Sequence, residues 1–221
     1  MSQKFIVLFD LDGTLVDTAP DLIRAHNHVM KKFGYPSKSL DVLRNAVGSG
    51  AKAMMAKDNG KWKWFDEKIQ NEMTDEFISF YEKNILHEST LLNGVKEFLE
   101  WCKNQNISMA VCTNKTEFLA IDLLKKIGIY DFFEYVSGYN TFEYCKPDPR
   151  HLLKTIDILD GDKNKSIMIG DSETDANAAK AAEIPMILLK YGYTEKKSEE
   201  IYHNYLIKDF IGIEKIIKKY L

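Results

Sequence analysis

Asp10 and Asp12 stand two residues apart in Phe9-Asp10-Leu11-Asp12-Gly13-Thr14, a segment that begins where the apolar run Phe5 to Phe9 ends. Three more polar segments each follow another apolar run: Thr113-Asn114-Lys115, Lys146-Pro147-Asp148-Pro149 and Gly170-Asp171-Ser172-Glu173-Thr174-Asp175. Carboxylates can attack an electrophile, exchange protons or ligate a hard cation. Hydroxyl, amide and ammonium groups can meet an anion. If the four segments converge, they form an anion site lined by acids. Such a site needs a cation, because carboxylates facing an anion repel it and one another.

The apolar runs have the character of strands buried on both faces: Phe5 to Phe9, Ile107 to Cys112, Tyr135 to Ser137, Ser166 to Ile169 and Met186 to Leu189. Helical patterns separate them. Gly94 to Asn104 carries Val95, Phe98, Leu99 and Cys102 at helical spacing, Glu117 to Ile127 carries Phe118, Ile121, Leu124 and Ile127 before Gly128, and Thr174 to Ala182 is rich in alanine. This alternation predicts an α/β fold, a doubly wound, Rossmann-like parallel sheet with right-handed crossovers. Ligands of such sheets bind beyond the carboxyl ends of the strands, where all four polar segments would then meet.

Between about Thr18 and Leu86 no strand pattern occurs. Pro20 suits a first helical turn, and Leu22, Ile23, His26, Val29, Met30 and Phe33 form one face before Gly34. Further helical patterns cover Leu40 to Val47, Ala51 to Lys57, and Asp66 to Ile85 with Ile69, Met73, Phe77 and Phe80. About seventy residues are too many for a simple crossover. The expected organisation is therefore a core of residues 1–17 and 88–221 with an inserted all-helical cap domain, 18–87, hinged near Asp17 to Pro20 and near His87 to Leu91. Gly48-Ser49-Gly50 leads into the helical pattern at Ala51, so its backbone N–H groups, with Arg44 one turn earlier, are candidates for an anion site in the cap. Trp62 and Trp64 read as packing between cap helices. The stripe Phe210, Ile213, Ile216, Ile217 and Leu221 is expected to dock a C-terminal helix on the core.

Composition narrows the possibilities. A net charge of -3 and a pI near 6.0 provide no basic footprint for nucleic acid. The N-terminal apolar run is too short for a signal segment or a membrane span, so no membrane role and a cytoplasmic location are expected. The three cysteines, Cys102, Cys112 and Cys145, have no CxxC spacing and read as inert thiols. The histidines 26, 28, 87, 151 and 203 form no metal-ligand pattern. The oligomeric state, monomer or homodimer, stays open.

In their order, and with a helical insertion after the first, the four polar segments resemble the four motifs of the haloacid dehalogenase superfamily, in its phosphatase branch with a helical cap. Phe9 to Pro20, Thr113 to Lys115, Gly170 to Ala182 and Tyr191-Gly192-Tyr193 are similar to the phosphoglycolate phosphatase group. The resemblance implies that Asp10 is the nucleophile that accepts a phosphoryl group, and that Asp12 acts as general acid and then base. It implies Mg²⁺ held by the side chains of Asp10 and Asp171 and the backbone carbonyl of Asp12, with Thr14 and Asp175 supporting those ligands. Thr113, Asn114 and Lys146 would bind the phosphoryl oxygens of a small anionic ester, 2-phosphoglycolate being the expected substrate and a broad range of small esters or pyrophosphate the alternative. The superfamily's mutases carry a histidine twelve positions after the nucleophile. Leu22 stands there instead, which disfavours return of the phosphoryl group to a sugar. A phospho-acceptor signalling module shares an acidic cluster, a Thr and a Lys, but is about half this length and has no cap.

Overall fold

Strand β1 (Ile6–Phe9) is buried on both faces, and its side chains alternate between two separate cores. Val7 and Phe9 join the core on one side of the sheet, Ile6 and Leu8 the core on the other. The computed structural model, which describes residues 4–39, 43 and 67–221, repeats this alternation in strand after strand. In β4 (Ser108–Cys112), Met109 and Val111 face the first core and Ala110 and Cys112 the second. In β7 (Met186–Leu189), Ile187 and Leu189 oppose Met186 and Leu188. A sheet with two apolar faces must be covered twice, which explains the continuous apolar runs.

With β5 (Tyr135–Ser137), β6 (Ser166–Gly170) and β8 (Tyr205–Ile207), these strands form one six-stranded sheet in the order β5-β4-β1-β6-β7-β8, parallel throughout. Helices α3 (Val95–Asn104) and α4 (Glu117–Lys126) cover the first face, and α5 (Pro149–Ile158) and α6 (Glu173–Ala182) the second. The chain leaves β1 toward β4 on one side and reaches β6 on the other. The switch point therefore lies at the carboxyl end of β1, where Asp10 follows.

Three local expectations are revised. Helix α4 buries Leu119, Ala120, Leu123 and Leu124, whereas Phe118, expected on the core face, is 61% exposed. Apolar residues occupy both candidate stripes, and the sheet accepts the one offset by a residue. Helix α5 and strand β8 lie outside the expected elements; α5 starts from Asp148, whose side chain accepts the Arg150 N–H at 2.9 Å. At the C-terminus Phe210, Ile213 and Ile217 dock on the core, but the helix there, α7, spans only Glu214–Ile217 and Leu221 is exposed.

Between β1 and α3 the chain passes through a helical segment. Its described elements are α1 (Ala19–Lys32) and α2 (Glu67–Lys83), which pack on each other, and Leu43, which is helical and buried. Arg44, Gly48, Ser49, Gly50, Trp62 and Trp64 lie outside the described residues. The outgoing and returning chains run side by side, because β2 (Val16–Asp17) pairs antiparallel with β3 (Thr90–Leu91). Asp21, in the first turn of α1, reinforces this junction. Its buried carboxylate accepts the backbone N–H groups of His87 (2.9 Å), Glu88 (3.0 Å) and Ser89 (2.9 Å) and the Ser89 hydroxyl (2.7 Å). Burial alone would raise the Asp21 carboxyl, but the donors from Glu88, Ser89 and His87 outweigh it and hold the group below its ordinary 3.8.

Replacing Asp21 by Ala strands several backbone donors at once and should cost about 3 kcal/mol of stability at pH 7. Because the folded-state pKa is depressed, this contribution is complete above pH 3.8 and fades as pH falls through the lowered value. Urea unfolding of wild type and Asp21→Ala should show a gap at pH 7 that narrows at acid pH; equal midpoints at pH 7 would contradict the assignment.

Candidate active site

Asp10 continues the parallel ladder by one hydrogen bond, from its N–H to the Ile169 carbonyl at 2.9 Å, and its side chain then enters the crevice between the β4 and β6 ends. Lys146 reaches it from the loop after β5, with Nζ 2.8 Å from Asp10 Oδ1 and 2.5 Å from Asp175 Oδ1. The ammonium is 2% exposed and lies between two buried carboxylates. Behind it His151 accepts the Lys146 backbone N–H on Nδ1 at 3.3 Å, and burial, aided by the Lys146 charge, pushes this imidazole down to about 4. His151 is thus a neutral support for the loop.

Asp171 follows β6. Its Oδ2 accepts the Tyr193 N–H at 2.6 Å and its Oδ1 the Thr14 hydroxyl at 3.2 Å. Asp175, one turn into α6, uses Oδ2 for the N–H groups of Asp171 (3.2 Å) and Ser172 (3.1 Å) and for the Ser172 hydroxyl (2.7 Å). It closes the capping box of that helix, and its other oxygen meets Lys146. Asp175 thus takes four protein donors on its two oxygens, against one on each oxygen of Asp171, so Asp10 and Asp171 retain more capacity for a ligand. Gly13 has φ +82°, and a Cβ there would collide with Asp171 Oδ2. The turn must be glycine for the two motifs to touch.

Carboxylate oxygens of Asp10, Asp171 and Asp175 lie within 4.8 Å of one another, all buried. Burial is the largest influence on Asp10 and raises it to about 6; Lys146 opposes this, while Asp175 and Asp12 add to it. Asp171 is raised well above its ordinary range by burial and by its neighbours Asp175 and Asp10. Lys146 is shifted so as to stay charged, since Asp10 and Asp175 outweigh the burial that would discharge it. One ammonium thus serves three buried carboxylates. That excess of negative charge is the environment that a hard divalent cation with oxygen ligands fits.

On the other wall, Thr113 is buried and its N–H extends the ladder to the Ser137 carbonyl at 2.9 Å. Asn114, expected to face the phosphoryl group, donates from Nδ2 to the Lys146 carbonyl at 2.8 Å and so ties the second loop to the third. Lys115 is the residue that motif reasoning passed over. Its Nζ holds both oxygens of Asp12, at 2.8 and 3.1 Å, with only 5% of the side chain exposed, and it lies 4.6 Å from the ring centroid of Tyr81 in α2. Lys115 stood in plain view within Thr-Asn-Lys, but no spacing rule links it to Asp12 across 103 positions. Tyr81 had no signal, since the stripe expected for its helix is Ile69, Met73, Phe77 and Phe80. Tyr193 makes the second unforeseen link, donating its hydroxyl to Asp17 at 2.5 Å and accepting the Ala19 N–H at 2.9 Å.

Comparison with known proteins agrees with this geometry. The family model for haloacid dehalogenase-like hydrolases matches residues 7–189. A phosphoglycolate phosphatase of Agrobacterium fabrum (strain C58) is 37% identical over 220 residues, covering 97% of this chain and 94% of that protein. One from Caulobacter vibrioides is 36% identical over 210 residues, covering 95% and 89%. A crystal structure of a predicted phosphoglycolate phosphatase from Haemophilus somnus superposes with a TM-score of 0.91 at 28% identity, covering 98% of this chain and 99% of that one. With an acidic crevice at the switch point of the sheet and relatives of this kind along nearly its whole length, the chain belongs to the haloacid dehalogenase-like hydrolase family and is a phosphatase of it.

Proposed function

We propose that the protein is a Mg²⁺-dependent, cytoplasmic phosphatase that hydrolyses 2-phosphoglycolate through an aspartyl-phosphate on Asp10, beneath a cap spanning residues 18–87. The observation that carries the reading is the Asp10 carboxylate at the switch point, 2.8 Å from a buried ammonium and beside Asp171. Asp10 attacks phosphorus as the ester oxygen departs, and Asp12 supplies the proton that oxygen needs. Water then attacks the acyl phosphate and yields its proton to Asp12, which releases phosphate, frees the Asp10 carboxylate and returns Asp12 to its protonated form. Lys146 offsets charge on the equatorial oxygens, and the Thr113 hydroxyl and Asn114 amide are the remaining donors. When bound by Asp10, Asp171 and the Asp12 carbonyl, Mg²⁺ would supply the charge that lets these carboxylates meet a phosphate dianion. The substrate is inferred from relatives that are phosphoglycolate phosphatases.

Asp10→Asn keeps the shape of the side chain and removes the nucleophile, so kcat should fall by at least about a thousandfold while the circular-dichroism spectrum is retained. Activity within about tenfold of wild type would rule out the covalent route. Mg²⁺ should raise the Tm of the wild type in proportion to the logarithm of its concentration, and Asp171→Ala should weaken that shift and raise the Mg²⁺ concentration giving half-maximal rate. A wild-type Tm and rate indifferent to Mg²⁺ would remove the metal from the mechanism. In catalytic efficiency, 2-phosphoglycolate should exceed p-nitrophenyl phosphate by at least about tenfold. Equal efficiencies would instead describe a phosphatase of broad small-ester or pyrophosphate range.

A further inference from the structure

Lys146 and Lys115 are both buried ammonium groups at the crevice, but their surroundings differ. Lys146 contacts Asp10 and Asp175, so it keeps a carboxylate partner whatever Asp10 does. Lys115 pairs with Asp12 alone among the described residues. That contact is two-pronged and fixes the direction of the Asp12 side chain. The group that must serve the ester oxygen is therefore held by a cation with no second carboxylate partner among the described residues. Turning Asp12 toward the ester oxygen would leave the buried Lys115 ammonium without a carboxylate, which is unfavourable away from water.

We propose that Lys115 is a specificity-determining residue: it exchanges the Asp12 carboxylate for the carboxylate of the substrate, so that an ester carrying a second anionic group frees Asp12 for proton transfer. The inference rests on the reading of Asp12 as the acid–base group and of a carboxylate-bearing ester as the substrate. Position supports it. In 2-phosphoglycolate the carboxylate carbon is two bonds from the ester oxygen, so an ester oxygen set against Asp12 brings the carboxylate beside whatever holds Asp12. Tyr81 supports it independently. Its ring lies against the Lys115 ammonium, and its hydroxyl is buried without an acceptor among the described residues, since Lys115 can only donate. A carboxylate bound at Lys115 would answer both groups. Asp12, released from the ammonium, takes up a proton from solvent and gives it to the ester oxygen as the phosphorus–oxygen bond breaks.

The test compares catalytic efficiency on 2-phosphoglycolate and on ethyl phosphate, which has the same two-carbon leaving group without the carboxylate. Wild type should prefer 2-phosphoglycolate by at least about a hundredfold, Lys115→Met should reduce that ratio to within about fivefold of unity, and Lys115→Arg should retain most of it. A merely structural Lys115 would lower both efficiencies together and keep the ratio, which would overturn the proposal. If Lys115→Met does not fold, Lys115→Gln is read in the same way, and Tyr81→Phe should lower the ratio through KM for 2-phosphoglycolate alone. The two readings fail differently. A wild type without preference removes the carboxylate-bearing substrate and this inference with it, whereas a preference that survives in Lys115→Met removes only the role of Lys115.

Discussion

Three carboxylates, Asp10, Asp171 and Asp175, are buried within 4.8 Å of one another at the open end of the sheet, and much of the surrounding structure answers the problem this creates. Taking charges out of water is costly, and like charges at this separation add to the cost. Lys146 sits among them and is itself buried. The Tyr193 N–H and the Thr14 hydroxyl hold Asp171, and the capping box of α6 absorbs Asp175. Gly13 lacks a side chain because Asp171 occupies that space, and Gly192 is constrained in the same way by Asp171. What is left after these contacts is a net negative pocket with Asp10 raised to about 6, an arrangement poorly suited to stability by itself and well suited to a cation and a phosphate together.

The acidic site and the helical insertion are connected physically. Tyr193 spans the two, with its N–H on Asp171 and its hydroxyl between Asp17 and Ala19 at the start of α1. Asp21 fastens the returning chain at His87 to Ser89, and β2 pairs with β3 between them. The segments expected to act as hinges are thus laced to each other and to the core. On the opposite wall Tyr81 brings α2 onto Lys115 and, through it, to Asp12. Among the described residues, the insertion thus meets the crevice through the Tyr81 ring on Lys115, which in turn holds Asp12.

The two lysines divide the electrostatic work. Lys146 lies between Asp10 and Asp175 and offsets the charge of both, whereas its position among the motif residues had pointed to phosphoryl oxygens. Lys115 holds Asp12 and lies against Tyr81 of the insertion. The difference in their numbers of carboxylate partners makes one a fixed counter-charge and the other exchangeable. That distinction requires distances: along the chain both are simply lysines that follow a strand.

The sequence by itself determined the parallel sheet and its two-sided burial, and it singled out Asp10, Lys146, Asp171 and Asp175, whose side chains meet at the switch point. Strands buried on both faces are continuous apolar runs, and a switch point gathers whatever follows their carboxyl ends, so local pattern and one topological rule suffice. It did not determine which stripe of α4 faces the core, because Phe118 and Leu119 are equally apolar and only the fit to the sheet separates them. Strand β8 was invisible because three residues, Tyr205–Ile207, have no periodicity to read. The bonds of Lys115 to Asp12, of Tyr193 to Asp171 and Asp17, and of Asp21 to Ser89 were decided by tertiary structure alone. Each joins groups distant along the chain, and hydrogen bonds depend on direction and separation in space, which residue type and spacing do not encode.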